Sequence, residues 1–110
     1  MLVDLGAGNC AKAAALFEPF APGRYVAVDI SVDFLRQSLG SLQARHPGLP
    51  MLGLGMDFSS SLQLPPQAGQ GPKVLFYPGS SIGNFTPEDV LVFLRQARQA
   101  CAGGGLLIGV

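Results

Sequence analysis

The sequence predicts an α/β fold in which a mostly parallel sheet is flanked by helices. Short apolar segments alternate with amphipathic ones along the 110 residues. The links between these segments are short, and regular alternation of this kind gives parallel strands joined by helices. The first apolar segment runs into Gly6 and Gly8, which lack a Cβ and so allow a sharp turn between a strand and a helix.

Two strand–helix units are predicted in the first half of the chain. A strand over Leu2–Leu5 is followed by a helix over Cys10–Phe17, which ends before Pro19. A second strand covers Arg24–Asp29, and Ser31 is the expected N-cap of the next helix. That helix ends at the His-Pro-Gly segment of residues 46–48. Its predicted apolar face consists of Phe34, Leu35, Leu39 and Leu42.

The second half of the chain predicts three further strands and one helix. A strand over Met51–Met56 is weakened by two glycines, and Ser59–Pro72 has the composition of a surface loop. Lys73–Tyr77 is a short buried strand. A helix begins after Thr86, with a proline and two acids in its first turn, and Leu106–Val110 is the last strand. The predicted buried face of the helix consists of Val90, Leu94, Ala97 and Cys101.

Composition excludes several classes of partner. Seven basic residues balance seven acidic ones without a basic block, so we expect no nucleic-acid partner. The apolar runs are too short to span a membrane, and no signal peptide is visible. Two distant cysteines and one histidine indicate reduced thiols in a cytoplasmic protein and no metal site.

The extent of the chain predicts one partial domain over residues 1–110. Both predicted ends lie inside strands, so we expect the domain to be truncated at both ends. Only 13% of the residues are charged, which is low for a free-standing domain. The expected partner of the remaining apolar surface is the missing flanking segments of the same full-length chain.

The glycine loop suits an adenosine-containing ligand. Residues 6–11 fit the dinucleotide pattern G-x-G-x-x-G/A, and Asp29 follows at about the 20-residue spacing of a ribose-binding acid. A carboxylate accepts hydrogen bonds from both ribose hydroxyls, whichever cofactor carries the ribose. The loop alone therefore leaves three interpretations open: a dinucleotide, another adenosine cofactor, or a plain tight turn.

Three features favour S-adenosylmethionine over NAD. Asp4 stands two residues before Gly6, where dinucleotide-binding folds usually keep the strand apolar. Asp57 and Phe58 follow the third strand, where a carboxylate accepts from an adenine amino group and a ring covers the base; the alternative role for Asp57 is a turn or helix cap. Residues 10–12 (Cys-Ala-Lys) would also crowd a diphosphate more than a glycine would.

A polar loop follows the fourth predicted strand and contains Asn84. Ligands of open α/β sheets bind at the carboxyl ends of the strands, so this loop is expected to face the transferable group. The Asn84 amide offers donors and an acceptor for a polar substrate. Its alternative role is a left-handed turn beside Gly83.

Four segments in this order resemble the histidine-specific Nα-methyltransferases of ergothioneine biosynthesis, over nearly the whole chain. They are Leu-Gly-x-Gly with Lys12, Tyr-Val-Ala-Val-Asp-Ile-Ser at 25–31, Tyr-Pro-Gly-Ser-Ser-Ile-Gly-Asn-Phe at 77–85, and Gly-Gly-Gly-Leu-Leu-Ile-Gly-Val at 103–110. The third segment is the most distinctive. Asp4 stands where the family commonly has Glu, which keeps the carboxylate.

The resemblance implies a Rossmann-like class I methyltransferase core and an amino-acid substrate. It implies that Gly6, Lys12, Asp29, Asp57 and Phe58 contact S-adenosylmethionine, with Gly8 in the same loop, and that Asn84 binds the substrate. Lys12 would meet the cofactor's carboxylate; without the resemblance it would be a solvated lysine. Most of the amino-acid pocket would come from segments outside these residues, so we expect the 110 residues alone not to methylate histidine. No acid–base catalytic residue is assigned.

Two alternative functions remain at this point. The literal G-x-G-x-x-A match is compatible with the dinucleotide-binding domain of an NAD(P)-dependent oxidoreductase. A Rossmann module that has lost catalysis and mediates association is the second, although the presence of Asp29 and Asn84 argues against it.

Overall fold

The computed structural model describes residues 1–6, 10–57, 62, 64–66, 69, 71–77 and 86–108. Five strands lie in one sheet with the order β3-β2-β1-β4-β5, and all four adjacent pairs are parallel. They are β1 (Leu2–Leu5), β2 (Tyr25–Asp29), β3 (Met51–Gly55), β4 (Val74–Tyr77) and β5 (Gly105–Ile108). The predicted α/β fold with a parallel, helix-flanked sheet is confirmed.

Four helices are described: α1 (Ala11–Ala14), α2 (Phe17–Phe20), α3 (Val32–Arg45) and α4 (Pro87–Cys101). Apolar residues of α1, α2 and α3 pack on one face of the sheet, against Leu2, Tyr25 and Ala27. Residues of α4 pack on the other face, against Val3 and Val28. Both faces are therefore covered, which explains why β1 and β2 are apolar at nearly every position.

The predicted helix over Cys10–Phe17 is wrong in its extent. The segment forms two short helices, α1 and α2, and Pro19 lies inside α2 instead of after it. Pro19 is the third residue of that helix, where a backbone N–H has no partner within the helix in any case. A proline is therefore tolerated there.

Helix α3 begins and ends close to the predicted positions. Ser31 occupies the N-cap with extended backbone, but its side chain makes no capping hydrogen bond, and His46 is the C-cap. Leu35 and Leu42 are buried as predicted. Phe34 was predicted to share their face but is 45% exposed. Phe34 lies one residue before Leu35, about 100° around the helix, so the two cannot face the sheet equally.

Helix α4 confirms the predicted start and corrects the predicted face. The Thr86 hydroxyl accepts a hydrogen bond from the Asp89 N–H at 3.1 Å. Phe93, Ala97 and Cys101 are buried, whereas Leu94 is 38% exposed. Phe93 replaces Leu94 because its ring packs against Tyr77 of β4, with ring centroids 5.3 Å apart.

The two glycines of β3 do not interrupt the strand. A Cβ on Gly53 would lie 2.7 Å from Leu39 Cδ1, and a Cβ on Gly55 would collide with Val32. The glycines therefore permit α3 to pack directly on the edge strand β3, and their presence reflects close packing instead of weak strand character.

Candidate functional site at the carboxyl ends of the strands

The carboxyl ends of the central strands are level with one another. Leu5 of β1 pairs with Val28 of β2, and Asp29 pairs with Gly55 of β3. Adjacent strands lie about 4.8 Å apart, so Gly6, Asp29 and the residues after Gly55 meet at one edge of the sheet. The chain also changes direction of travel across the sheet between β1 and β4, which is the point where open α/β sheets bind ligands.

Gly6 begins the loop after β1 in a left-handed conformation. Its φ is 72°, a value that an L side chain adopts only with strain. Its N–H donates to the Val28 carbonyl at 2.8 Å, which extends the β1–β2 ladder by one residue. Gly6 is exposed, so its backbone is accessible where the chain leaves the sheet.

Asp29 is the last residue of β2 and is half-buried. Its Oδ1 accepts a hydrogen bond from the Ser31 N–H at 3.1 Å. This local bond fixes the carboxyl group at the end of the strand and joins β2 to the start of α3. The side chain predicted to bind a ribose is thus held beside Gly6 by the backbone of the following turn.

Two further predicted site residues belong to the neighbouring elements. Asp57 lies two residues beyond Gly55 and is exposed; the Met56 N–H donates to the Asp29 carbonyl at 3.1 Å, so this segment continues alongside β2. Lys12 is the second residue of α1 and is also exposed. Asp29 therefore ends β2 and Asp57 follows the neighbouring strand β3, while Lys12 belongs to the helix that follows β1.

Three predicted site residues lie outside the described residues: Gly8, Phe58 and Asn84. The structure describes β1, β3 and β4, which precede these residues in the sequence, but not the residues themselves. Their assigned roles stay predictions.

The structure places Asp4 inside the protein, bonded to a residue that the sequence analysis did not single out. Asp4 is 1% exposed, and the Tyr25 hydroxyl donates to its Oδ2 at 2.6 Å. The Cys10 thiol, also fully buried, interacts with the same hydroxyl. Among the described residues, Oδ1 of Asp4 has no hydrogen-bond partner. The sequence analysis did not select Tyr25 because it lies in an apolar strand. The available signal was its hydroxyl group, since a buried tyrosine hydroxyl usually has a hydrogen-bond partner.

Burial dominates the protonation of this cluster. Loss of solvent raises the pKa of Asp4 to about 6, the hydrogen bond from Tyr25 lowers it, and the nearby Asp29 carboxylate raises it. Burial also raises the pKa of the Cys10 thiol. The pKa of Tyr25 is raised by burial and by the adjacent Asp4, so Tyr25 stays a hydroxyl donor.

A cavity of about 390 Å³ lies elsewhere, lined by Leu62, Lys73 and Ala102 among others. These residues precede β4 and β5, at the opposite end of the sheet from Gly6 and Asp29. Among the described residues, no group of three His, Cys, Asp or Glu side chains could hold a metal ion, and no helix has the length and apolar character to cross a bilayer.

The chain matches the family of histidine-specific, S-adenosylmethionine-dependent methyltransferases over residues 1–110. The chain belongs to this family. The sequence-based resemblance is thereby confirmed, and of the two cofactor classes left open by the glycine loop, the family favours the methyl donor over the dinucleotide.

Two curated relatives of this methyltransferase family member have informative names. Histidine N-alpha-methyltransferase of Mycolicibacterium smegmatis is 28% identical over 113 aligned residues, which cover 98% of this chain and 35% of the relative. N-methyltransferase fsqC of Aspergillus fumigatus is 32% identical over 105, covering 86% of this chain and 28% of the relative. The chain thus spans about a third of the length of the relatives it matches.

The described residues of this methyltransferase core fit S-adenosylmethionine. The left-handed Gly6 leaves its backbone open, and Asp29 and Asp57 provide carboxylates at two adjacent strand ends. Buried beneath them, Asp4 has an oxygen without a partner among the described residues. Acceptors of this kind suit a ligand that carries ribose hydroxyls, an adenine amino group and positive charge.

Proposed function

We propose that residues 1–110 form the cofactor-binding core of an S-adenosylmethionine-dependent N-methyltransferase, and that the methyl acceptor is the α-amino group of an amino acid, histidine. The observation that carries the proposal is the meeting of Gly6, Asp29 and Asp57 at one sheet edge, in a chain whose whole length matches this family. The names of the two relatives support N-methylation, and one of these names includes histidine.

Each site residue has a role in this proposal. Asp29 accepts hydrogen bonds from the ribose hydroxyls, in an orientation supported by the Ser31 N–H. Asp57 accepts from the adenine amino group and Phe58 covers the base. Gly6 and Gly8 let the ligand approach the backbone, and Lys12 neutralises the cofactor's carboxylate.

The cofactor, when bound, supplies a methyl group on a positively charged sulfur that leaves readily. The protein's task is therefore orientation more than acid–base chemistry. Asn84, which follows β4 in the sequence, is the residue proposed to hold the amino-acid substrate. The carboxylates of Asp29 and Asp57 bind and orient, since both lie at positions suited to the adenosine part.

We propose further that most of the amino-acid pocket comes from parts of the full-length protein other than these residues. The chain corresponds to 35% and 28% of its relatives. Asn84 is the one substrate-binding residue predicted within these 110 residues. The 110 residues should accordingly bind the cofactor without methylating histidine.

Calorimetric titration with S-adenosylmethionine, S-adenosylhomocysteine and NAD tests the cofactor. We expect binding of the first two and none of NAD. Asp29→Ala should lower the affinity by about 10- to 150-fold, since a charged hydrogen-bond partner contributes about 1.5–3 kcal/mol. The matched control is Asp33→Ala, which removes an exposed acid in the first turn of α3. This variant should bind the cofactor normally. Tight NAD binding with no response to the other two ligands would overturn the proposal.

Transfer of a labelled methyl group to histidine tests the acceptor. The full-length protein should methylate histidine on its α-amino nitrogen, and Asn84→Ala should raise KM for the amino acid more than it changes cofactor affinity. Robust methylation of histidine by the 110-residue chain would contradict the proposed division of the pocket. A full-length protein that methylates other amines but not histidine would overturn the acceptor.

A further inference from the structure

The Asp4–Tyr25–Cys10 cluster is a buried group of ionisable side chains beneath the proposed cofactor site, and the proposed function assigns it no role. Asp4 and Tyr25 lie on the same face of adjacent strands, since Leu2 pairs with Tyr25 and Asp4 is two residues farther along β1. The Tyr25 hydroxyl therefore reaches the carboxyl group from below, on the side away from the strand ends. The Tyr25 hydroxyl donates to Oδ2 of Asp4 at 2.6 Å, a short hydrogen bond between two buried groups.

Only one of the two oxygens of the Asp4 carboxyl group has a hydrogen-bond partner among the described residues. Oδ2 is held by Tyr25, while Oδ1 is buried and has no partner among the described residues. A buried acceptor left without a donor is costly, and such atoms in native proteins call for an explanation by a ligand, a proton or water. Asp4 stands two residues before Gly6, at the end of the strand where the cofactor is proposed to bind.

We propose that Tyr25 is a positioning residue of the cofactor site, and that Asp4, held by Tyr25, releases a proton when the cationic cofactor binds. The inference rests on the proposed binding of S-adenosylmethionine. In the ligand-free protein, Asp4 is mainly protonated below about pH 6, because burial raises its pKa to about 6. Positive charge at the end of β1 then favours the carboxylate, and the proton passes to the solvent buffer. No other bond forms or breaks.

The groups around Asp4 are consistent with this coupling. On β2, Tyr25 donates a hydrogen bond that favours the carboxylate, and the Asp29 charge opposes it. Cys10, at the start of α1, is held as a thiol by burial. Phe76, the register partner of Asp4 in β4, is not ionisable. Among the described residues no cation acts on the cluster, so the cofactor supplies the missing positive charge.

Calorimetry in two buffers with different ionisation enthalpies measures the proton directly. For the wild-type protein we expect release of up to one proton on binding at pH 5–6 and almost none at pH 8. The affinity should fall by up to tenfold for each pH unit below the transition. Release with both S-adenosylmethionine and S-adenosylhomocysteine would assign the effect to the shared ammonium group, and release with the first alone would assign it to the sulfonium.

Tyr25→Phe distinguishes positioning from a purely structural role. Loss of the hydroxyl removes the bond that stabilises the carboxylate, so the pH midpoint of cofactor affinity should move to higher pH, by at least half a pH unit. Asp4→Asn should abolish proton release and flatten the pH profile. Phe17→Leu is the matched control: its ring packs edge-on against Tyr25 at 5.0 Å but makes no bond to Asp4. It should lower stability without moving the midpoint.

The outcomes separate this inference from the proposed function. If the wild-type protein binds neither ligand at any pH, the proposed function fails and the inference fails with it. If it binds both without proton release, or if Tyr25→Phe and Phe17→Leu have the same pH midpoint as the wild type, only the inference is overturned. If Tyr25→Phe does not fold, proton release in the wild type and its absence in Asp4→Asn decide the question.

Discussion

The side-chain oxygen of Gln96 accepts a hydrogen bond from the backbone N–H of Leu62 at 3.0 Å. Leu62 belongs to the segment between β3 and β4 and is 2% exposed, and Gln96 lies on α4. This contact joins the long connection to the helix on the same face of the sheet. It also corrects the expectation that Ser59–Pro72 is wholly a surface loop, because Leu62 packs in the core with Val3 and Phe93.

Replacement of Gln96 should remove the hydrogen bond that joins the β3–β4 connection to α4. Gln96→Ala leaves the Leu62 N–H without its acceptor, which should lower the free energy of unfolding by about 1–3 kcal/mol. Urea denaturation measures the effect. The control variant is Gln99→Ala, which replaces an exposed glutamine on the same helix. It should change the free energy of unfolding by less than about 0.5 kcal/mol. Equal losses of unfolding free energy in the two variants would show that the Gln96–Leu62 hydrogen bond does not stabilise the protein.

The buried Asp4 should make the stability depend on pH. Its pKa is about 6 in the folded protein against an ordinary value of 3.8, so the folded state holds more protons between these values. The contribution of Asp4 to stability is then greatest below pH 4 and is lost as the pH rises to about 6, by roughly 3 kcal/mol in all.

Thermal unfolding of the wild type and Asp4→Asn between pH 4 and pH 8 measures this effect, in the absence of ligand. The difference between the two proteins isolates Asp4 from the other titrating groups. We expect the wild type to lose stability relative to Asp4→Asn as the pH rises through this range. A difference that stays constant with pH would contradict the burial of an ionisable carboxyl.

The N-cap of α4 should contribute measurably to stability. Thr86→Ala removes the acceptor for the Asp89 N–H and should cost about 1 kcal/mol. Thr86→Ser keeps the hydroxyl and should restore most of the loss. Chemical denaturation of the three proteins checks this, and a Ser variant as unstable as the Ala variant would point to the methyl group instead of the cap.

Two glycines should respond to alanine in opposite directions. A Cβ on Gly104 would collide with the backbone of Lys73, which is fixed in hydrogen bonds to Cys101 and Gly105. Gly104→Ala should therefore destabilise the protein by more than 1 kcal/mol. Gly40 lies within α3 with no atom within 4 Å of an added Cβ. Gly40→Ala should stabilise by about 0.5–1 kcal/mol. Melting temperatures that move in the same direction would contradict the packing at Gly104.

Local chemistry made much of the fold predictable. Strand β1 matches its prediction at both ends, and the start of α4 was evident from Thr86 and the proline that follows. These features depend on residues close in sequence: an apolar run before glycine, a hydroxyl three residues before the N–H that it caps. The helix faces were predicted less well, since Leu94 and Phe93 are both apolar. Phe93 is the buried one because it faces the core, where it packs with residues such as Val3 and Tyr77.

The sequence by itself determined the family and the types of residue at the site. A glycine after β1, an acid at the end of β2 and an acid after β3 predict a cofactor site at the carboxyl ends of the strands, because these ends lie side by side in a parallel sheet. Only the tertiary structure determined the burial and the hydrogen-bond partner of Asp4. Its partner Tyr25 is 21 residues away, and the two meet through the β1–β2 register. Burial then changes the chemistry of the carboxyl group, and burial depends on the layers that pack above it, which a linear pattern does not contain.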